Sequence, residues 1–236
     1  MLPNLSGTTR LSRALRQGIT PPDEWFDRLL PPPLQDAAGV FWTPLEVAVR
    51  AAEWIDQLGI SSVADIGAGV GKFCIAVALA SHASVVGLEH RKRLVEVATT
   101  LAEELELGSR ARFIHAAFAS ESLPEAELYY LYNPFAENLH GGSSQLDTDV
   151  ELSRARHDRD VALAEAVLRS LPRDTHVLTY NGFGGMVPDD FRPIRVARDV
   201  GSELRLWRKE HGYRRPDPRQ GAYVRVRGLG GGESAE

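Results

Sequence analysis

Val63-Ala64-Asp65-Ile66-Gly67-Ala68-Gly69-Val70-Gly71 is the stretch on which the fold turns. Ser62–Ile66 reads as a short buried strand. Three glycines at alternate positions then turn the chain, and Phe73–Ala80 reads as an apolar helix. Glycine suits such a turn because it takes positive φ and because its bare backbone lets another group come close. The helix start at Lys72–Phe73 adds free N–H groups. Outward from here the alternation repeats. Thr43 as N-cap and Pro44 at the first helical position open a helix with Val47, Ala51, Trp54, Ile55 and Leu58 on one face, stopped by Gly59. Ala83–Leu88 is a strand, Arg91–Leu105 a helix, and Arg112–His115 and Glu127–Tyr132 are strands. A helix over Ser153–Leu171, a strand over Thr175–Tyr180 and closing strands over Pro193–Ala197 and Glu203–Arg208 complete the set. Strand and helix in turn predict an α/β three-layer sandwich, with helices on both faces of a mostly parallel seven-stranded sheet. Such sheets bind ligands outside the carboxyl ends of their strands.

The 236 residues suit one such domain with additions. Residues 1–40 hold a short basic helix near Leu11–Gln17 and prolines at 21, 22 and 31–33, and read as a lead-in or cap. Residues 41–212 form the main domain and 213–236 a tail, with Gly228–Glu236 expected to be disordered. No apolar run reaches the roughly 20 residues of a membrane span, the N-terminus lacks a secretory apolar core, and Cys74 is the sole cysteine. A cytoplasmic protein without membrane contact is the expectation. Net charge is −5, which disfavours a long nucleic-acid footprint. Arg192–Arg227 runs the other way, with eleven Lys+Arg against four Asp+Glu. It reads as a solvated sheet edge, with an acidic partner as the alternative. The seven histidines show no metal-ligand spacing, and one cysteine cannot build a zinc site, so no metal is expected.

Three ligand types use a strand–glycine turn–helix. A phosphate loop needs G-x-x-x-x-G-K-[ST], but Ile66 stands at its first glycine and Phe73 at its hydroxyl. A dinucleotide turn needs G-x-G-x-x-G, and here the third glycine comes one position early. The third type, D-x-G-x-G-x-G, is matched by Asp65, Gly67, Gly69 and Gly71. It resembles the first motif of the class I, Rossmann-like S-adenosylmethionine-dependent methyltransferases. The resemblance spans roughly Phe41 to Arg208. It implies that the glycine turn passes under the methionine part of S-adenosylmethionine, that Asp65 holds its ammonium end, and that Glu89, ending the second strand, grips the ribose hydroxyls. S-adenosylhomocysteine is then the product. Phe41-Trp42-Thr43-Pro44 is similar to a segment in which Thr43 touches the cofactor carboxylate. Where the family usually has an acid for the adenine amino group, this chain has Ala117. Adenine is left to the backbone there and to packing on Phe118.

Tyr132-Asn133-Pro134-Phe135 follows the fourth strand, where the reactive methyl should point. It resembles the [DNS]-P-P-[YFW] motif of amino-group methyltransferases and the Asn-Asn-Phe of the non-SET histone lysine methyltransferases, with Phe135 in place of the second proline. The resemblance makes Asn133 and Phe135 the catalytic pair, Asn133 orienting an amine or amide nitrogen and Phe135 stacking on it. Alternatively, Asn133-Pro134 is a strand-ending turn with Phe135 in the core. Tyr132 and Phe135 also offer aromatic faces to a cation. The loop Glu137–Asp149 is polar and is expected to be mobile and to close over the site. The implied activity is methyl transfer to a nitrogen of a protein lysine or a small molecule. The rivals are a SAM-binding or interaction module without catalysis and an NAD-dependent oxidoreductase.

Overall fold

The computed structural model describes residues 6–119, 122–139, 146, 150 and 152–215. Strands β1 (Ser62–Ile66), β2 (Ser84–Glu89), β3 (Ala111–His115), β4 (Leu128–Tyr132), β5 (His176–Tyr180), β6 (Phe191–Val200) and β7 (Ser202–Lys209) form one sheet in the order β3-β2-β1-β4-β5-β7-β6. The first five are parallel, and β7 runs antiparallel between β5 and β6. This is the expected Rossmann-like architecture.

Side chains alternate across a strand, and β1 shows what that does. Val63 joins the core under α5 (Leu45–Leu58), α6 (Lys72–Ala80) and α7 (Lys92–Glu104), while Ala64 and Ile66 join the one under α8 (Arg154–Ser170). Asp65 falls on the α6 face, beside Cys74. Every residue of α6 from Lys72 to Leu79 is buried, which explains its lack of a polar face. Gly59 stops α5 in the left-handed conformation, φ +67°.

Local chemistry moved several boundaries. The basic helix α1 (Gly7–Arg16) starts before Leu11 because the Ser6 hydroxyl accepts from the Thr9 N–H, 3.3 Å away. Thr43 is not the cap of α5. Pro44, in extended geometry, holds that position, which leaves Thr43 one residue too early, and the Thr43 hydroxyl instead meets the Tyr130 hydroxyl at 3.0 Å. The Leu45 N–H donates to Asp23 Oδ1 at 2.8 Å, so this orphan donor is satisfied from the lead-in. β6 is ten residues long and carries two register shifts, so Pro193–Ala197 is only its middle. The loop after β4 begins as a 3-10 turn over Ala136–Leu139. Residues 140–145 and 147–149 and the tail 228–236 lie outside the described residues.

The lead-in adds α1, α2 (Glu24–Asp27), α3 (Pro32–Gln35) and α4 (Ala38–Phe41). Leu11, Leu15, Phe26, Leu30 and Leu34 join the core on the α6 side. Lys72 Nζ lies 2.7 Å from both Asp23 Oδ1 and Asp27 Oδ1, with its side chain only 3% exposed. Burial raises the Asp27 pKa, partly offset by its bond to Lys72. Asp23 therefore serves two elements, the start of α5 and the start of α6.

At the far edge, Arg192 pairs with Glu210, Arg198 and Arg205 with Glu203, Arg208 with Asp174, and Arg195 bonds to Gln57. The basic residues of β6 and β7 thus meet acceptors of their own chain. Exposed pairs of this kind contribute about 0–1 kcal/mol each. Among the described residues, no helix is long and apolar enough to cross a membrane.

Candidate functional site

Strand order reverses between β1 and β4, so the chain leaves their carboxyl ends in opposite directions and opens a crevice between them. Three chambers meet there at Gly67. The first, about 170 Å³, lies among Trp42, Glu89, His90, Arg91, Tyr132 and Asn133. The second, about 140 Å³, lies among Leu88, Ala117, Phe118, Pro134, Phe135 and the α8 residues Arg156, Arg159 and Asp160. The third, about 30 Å³, lies among Trp42, Thr43, Asp65, Lys72 and Tyr132.

Asp65 is 3% exposed and accepts one hydrogen bond, from Cys74 Sγ at 3.3 Å. Lys72 lines the same chamber but is committed to Asp23 and Asp27. Among the described residues, no cation forms an ion pair with Asp65. Burial pushes its pKa up to about 7, against the lowering effect of the Cys74 bond, and the Glu89 charge raises it further. A buried carboxylate that faces a chamber without a counter-charge is a receptor for a small cationic group. The ammonium of S-adenosylmethionine fits that description.

Glu89 is 6% exposed. Its Oε2 accepts from the Gly69 N–H at 3.0 Å and its Oε1 from the Arg91 N–H at 2.8 Å. These bonds fix the plane of the carboxylate, and each oxygen keeps a lone pair for vicinal hydroxyls in the first chamber. Arg91 beside it is buried and meets Glu137 with two nitrogens, at 2.9 and 3.0 Å. Glu137 also accepts from the Leu146 N–H at 2.8 Å, which ties the chain after β4 over the first chamber. Arg91 Nη1 lies 3.0 Å from His90 Nε2. Arginine can only donate, so His90 accepts at Nε2 and carries its proton on Nδ1. Neutrality agrees with burial, which pushes the His90 pKa down.

The three glycines have φ of +79°, +55° and +77°, which accounts for the residue type. The reason of close approach is corrected in part. A Cβ on Gly69 would lie 2.7 Å from Trp42 Cζ3, and one on Gly71 would lie 2.5 Å from Phe113 Cζ. The chain's own rings fill those spaces. Gly71 lines none of these three chambers, and its missing Cβ leaves room for Phe113 and Ala98. Gly67 is exposed and shared by all three chambers, although its own missing Cβ points at Pro134, 2.9 Å away. Gly69→Ala should therefore unseat Trp42 and strain the backbone. A left-handed alanine alone costs about 1–2 kcal/mol, so the melting temperature should drop by roughly 2–8 °C. A melt unchanged within 1 °C (~0.3–0.5 kcal/mol) would show that Trp42 does not rest on this turn.

Asn133 is left-handed, φ +40°. Its N–H donates to the Gly182 carbonyl and its carbonyl accepts from the Ala136 N–H, both at 3.0 Å. The glycine turn after β5 thus braces the residue, which lines the first chamber with Tyr132. Tyr132 packs on Tyr180 with ring centres 4.9 Å apart. Burial raises the Tyr132 pKa, so its hydroxyl stays protonated. Phe135 does not share the chamber that Asn133 lines. The turn that begins at Asn133 carries the chain across the sheet top, and the Phe135 ring falls on the α8 face. There it is buried with Ile66 and Leu88, 5.6 Å from the Phe118 ring in the second chamber. Phe135 is thus a wall of the chamber that Ala117 and Phe118 also line. Thr43 lines the third chamber, with its hydroxyl on Tyr130.

Sequence reading missed Trp42, Arg91 and Glu137. Trp42 is next to Thr43, so its place at the cleft was within reach. The Arg91–Glu137 pair links residues far apart in sequence, and only the strand order brings them together.

No family model matches the chain, and neither does any curated protein. Solved structures do. An RNA methyltransferase from Salinibacter ruber in complex with S-adenosyl-L-homocysteine is 21% identical over 72% of this chain and 94% of its own, with a TM-score of 0.51. A methyltransferase from Geobacter sulfurreducens is 13% identical over 89% of this chain and 93% of its own, at 0.54. The mitomycin 7-O-methyltransferase is 17% identical over 88% of this chain and 62% of its own, at 0.51. At such identities the likeness is one of fold.

Proposed function

We propose that the chain is an S-adenosylmethionine-dependent methyltransferase that acts on a nitrogen of a protein lysine or a small molecule. The observation that carries this reading is Asp65, a buried carboxylate facing a chamber and without an ion-pair partner among the described residues. Glu89 would take the ribose hydroxyls, and the second chamber, walled by Ala117, Phe118 and Phe135, would take the adenine. The S-adenosyl-L-homocysteine complex of a neighbour with the same fold supports the choice of cofactor. The cofactor supplies an activated methyl on a sulfonium. The chain's task is then alignment, which methyl displacement needs more than a strong base. Asn133 would orient the acceptor nitrogen through its side-chain carbonyl, with the Tyr132 ring beside it. The Arg91–Glu137 pair would hold the chain over the first chamber and keep water out.

Titration followed by calorimetry and by tryptophan fluorescence tests the cofactor. S-adenosylmethionine and S-adenosylhomocysteine should bind and NAD should not, and Trp42→Phe should remove most of the fluorescence response. Binding of NAD alone would make the chain a dinucleotide protein. Labelled S-adenosylmethionine, incubated with cell fractions split into protein, nucleic acid and small molecules, tests the acceptor. Binding without transfer would favour an interaction module, and label in nucleic acid would overturn the acceptor class.

A further inference from the structure

The second chamber lacks the expected acid at the end of β3, where Ala117 stands. Its carbonyl is also engaged, accepting from the Ser122 hydroxyl at 2.8 Å. Two further acceptors on the walls are engaged in the same way. Asn138 Oδ1 accepts from the Ser153 N–H at 3.4 Å, and its amide donates to the Phe135 carbonyl at 3.1 Å. His90 Nε2 accepts from Arg91. Among the residues lining this chamber, Asp160 of α8 is the one carboxylate. Its side chain is 13% exposed. Its oxygens meet Arg156 Nε at 3.5 Å and Arg159 Nε at 3.4 Å, two long contacts that leave acceptor capacity on each oxygen.

We infer that Asp160 replaces the missing β3 acid and reads the purine, accepting a hydrogen bond from an exocyclic 6-amino group held between the walls of the second chamber. The inference rests on the cofactor reading above and deepens it. Base recognition moves from the strand edge to the helix on the opposite side of the chamber. A 6-oxo purine would turn a carbonyl oxygen toward the same carboxylate and be rejected. A site built around a hydrogen bond discriminates strongly against a ligand that cannot make it.

Calorimetric dissociation constants for S-adenosylhomocysteine and for its 6-oxo (inosine) analogue, measured on the full chain, test this directly. The parent protein should prefer the amino form at least tenfold. Asp160→Ala should weaken S-adenosylhomocysteine about tenfold and bring the two ligands to near parity. Arg169→Ala, which removes an exposed ion pair with Glu165 on the same helix and away from the chamber, should keep the preference and serve as the folding control. A preference retained in Asp160→Ala, or absent from the parent, overturns the assignment while leaving the cofactor intact. If neither ligand binds the parent, the cofactor reading fails and this inference with it.

Discussion

Asp65→Asn should melt above the parent protein at pH 8 without ligand, and should bind S-adenosylmethionine about 100-fold or more weakly. The two effects share a cause. A carboxylate held near 7 rather than 3.8 costs the folded state roughly 4 kcal/mol when it ionises, at about 1.36 kcal/mol per pH unit. The folded chain binds more protons than the unfolded chain between these values. Stability therefore declines as the pH rises through that window and stays low above about 7. Asparagine removes the charge but must find partners for its amide, at about 1–3 kcal/mol. A net gain of about 1–3 kcal/mol remains at pH 8, or roughly 2–8 °C, and it should shrink as the pH falls and reverse sign by about pH 4, where the parent carboxyl is protonated and the amide's cost remains. For the parent, affinity should weaken about tenfold per unit as the pH falls below about 7, because the ammonium needs the ionised form. Melts and calorimetry from pH 5 to 8 read both effects. Undiminished affinity in Asp65→Asn would remove the carboxylate from the cofactor site.

Asn133→Gly should keep S-adenosylhomocysteine affinity within about threefold and lose turnover by roughly 100- to 1,000-fold, the scale of removing one preorganised polar contact at a reacting centre. Glycine is the informative substitution because the backbone is left-handed, φ +40°. Alanine would add about 1–2 kcal/mol of strain and confuse folding with chemistry. Both backbone hydrogen bonds, to Gly182 and from Ala136, survive in the glycine variant. Turnover on the fraction that the parent labels is the measurement. A glycine variant as fast as the parent would leave Asn133 as a turn residue and nothing more.

Sequence reading located what depends on local chemistry. The glycine turn, the acid two residues before it and the acid ending β2 are set by φ and by strand alternation, and these are visible in a few consecutive residues. Thr43 shows where that stops. Its cap geometry depended on one residue of register at Pro44, and the partner that satisfies the helix start is Asp23, some twenty residues earlier. Phe135 shows the same limit, since a left-handed residue before it decides which face of the sheet receives the ring. Asp160 was out of reach because helical spacing gives a buried stripe but not the chamber that its far turn overlooks. The four-residue helices α2, α3 and α4, set among prolines, have too few residues to show a period.

The double duty of Asp23 bears on how this protein can be handled. Trimming the chain to begin after residue 27 would delete both carboxylates on Lys72 and the acceptor at Leu45 in one cut. A lysine ammonium would be left stranded inside, one residue beyond the last glycine of the turn. Shortened versions made for crystallisation should start ahead of α1.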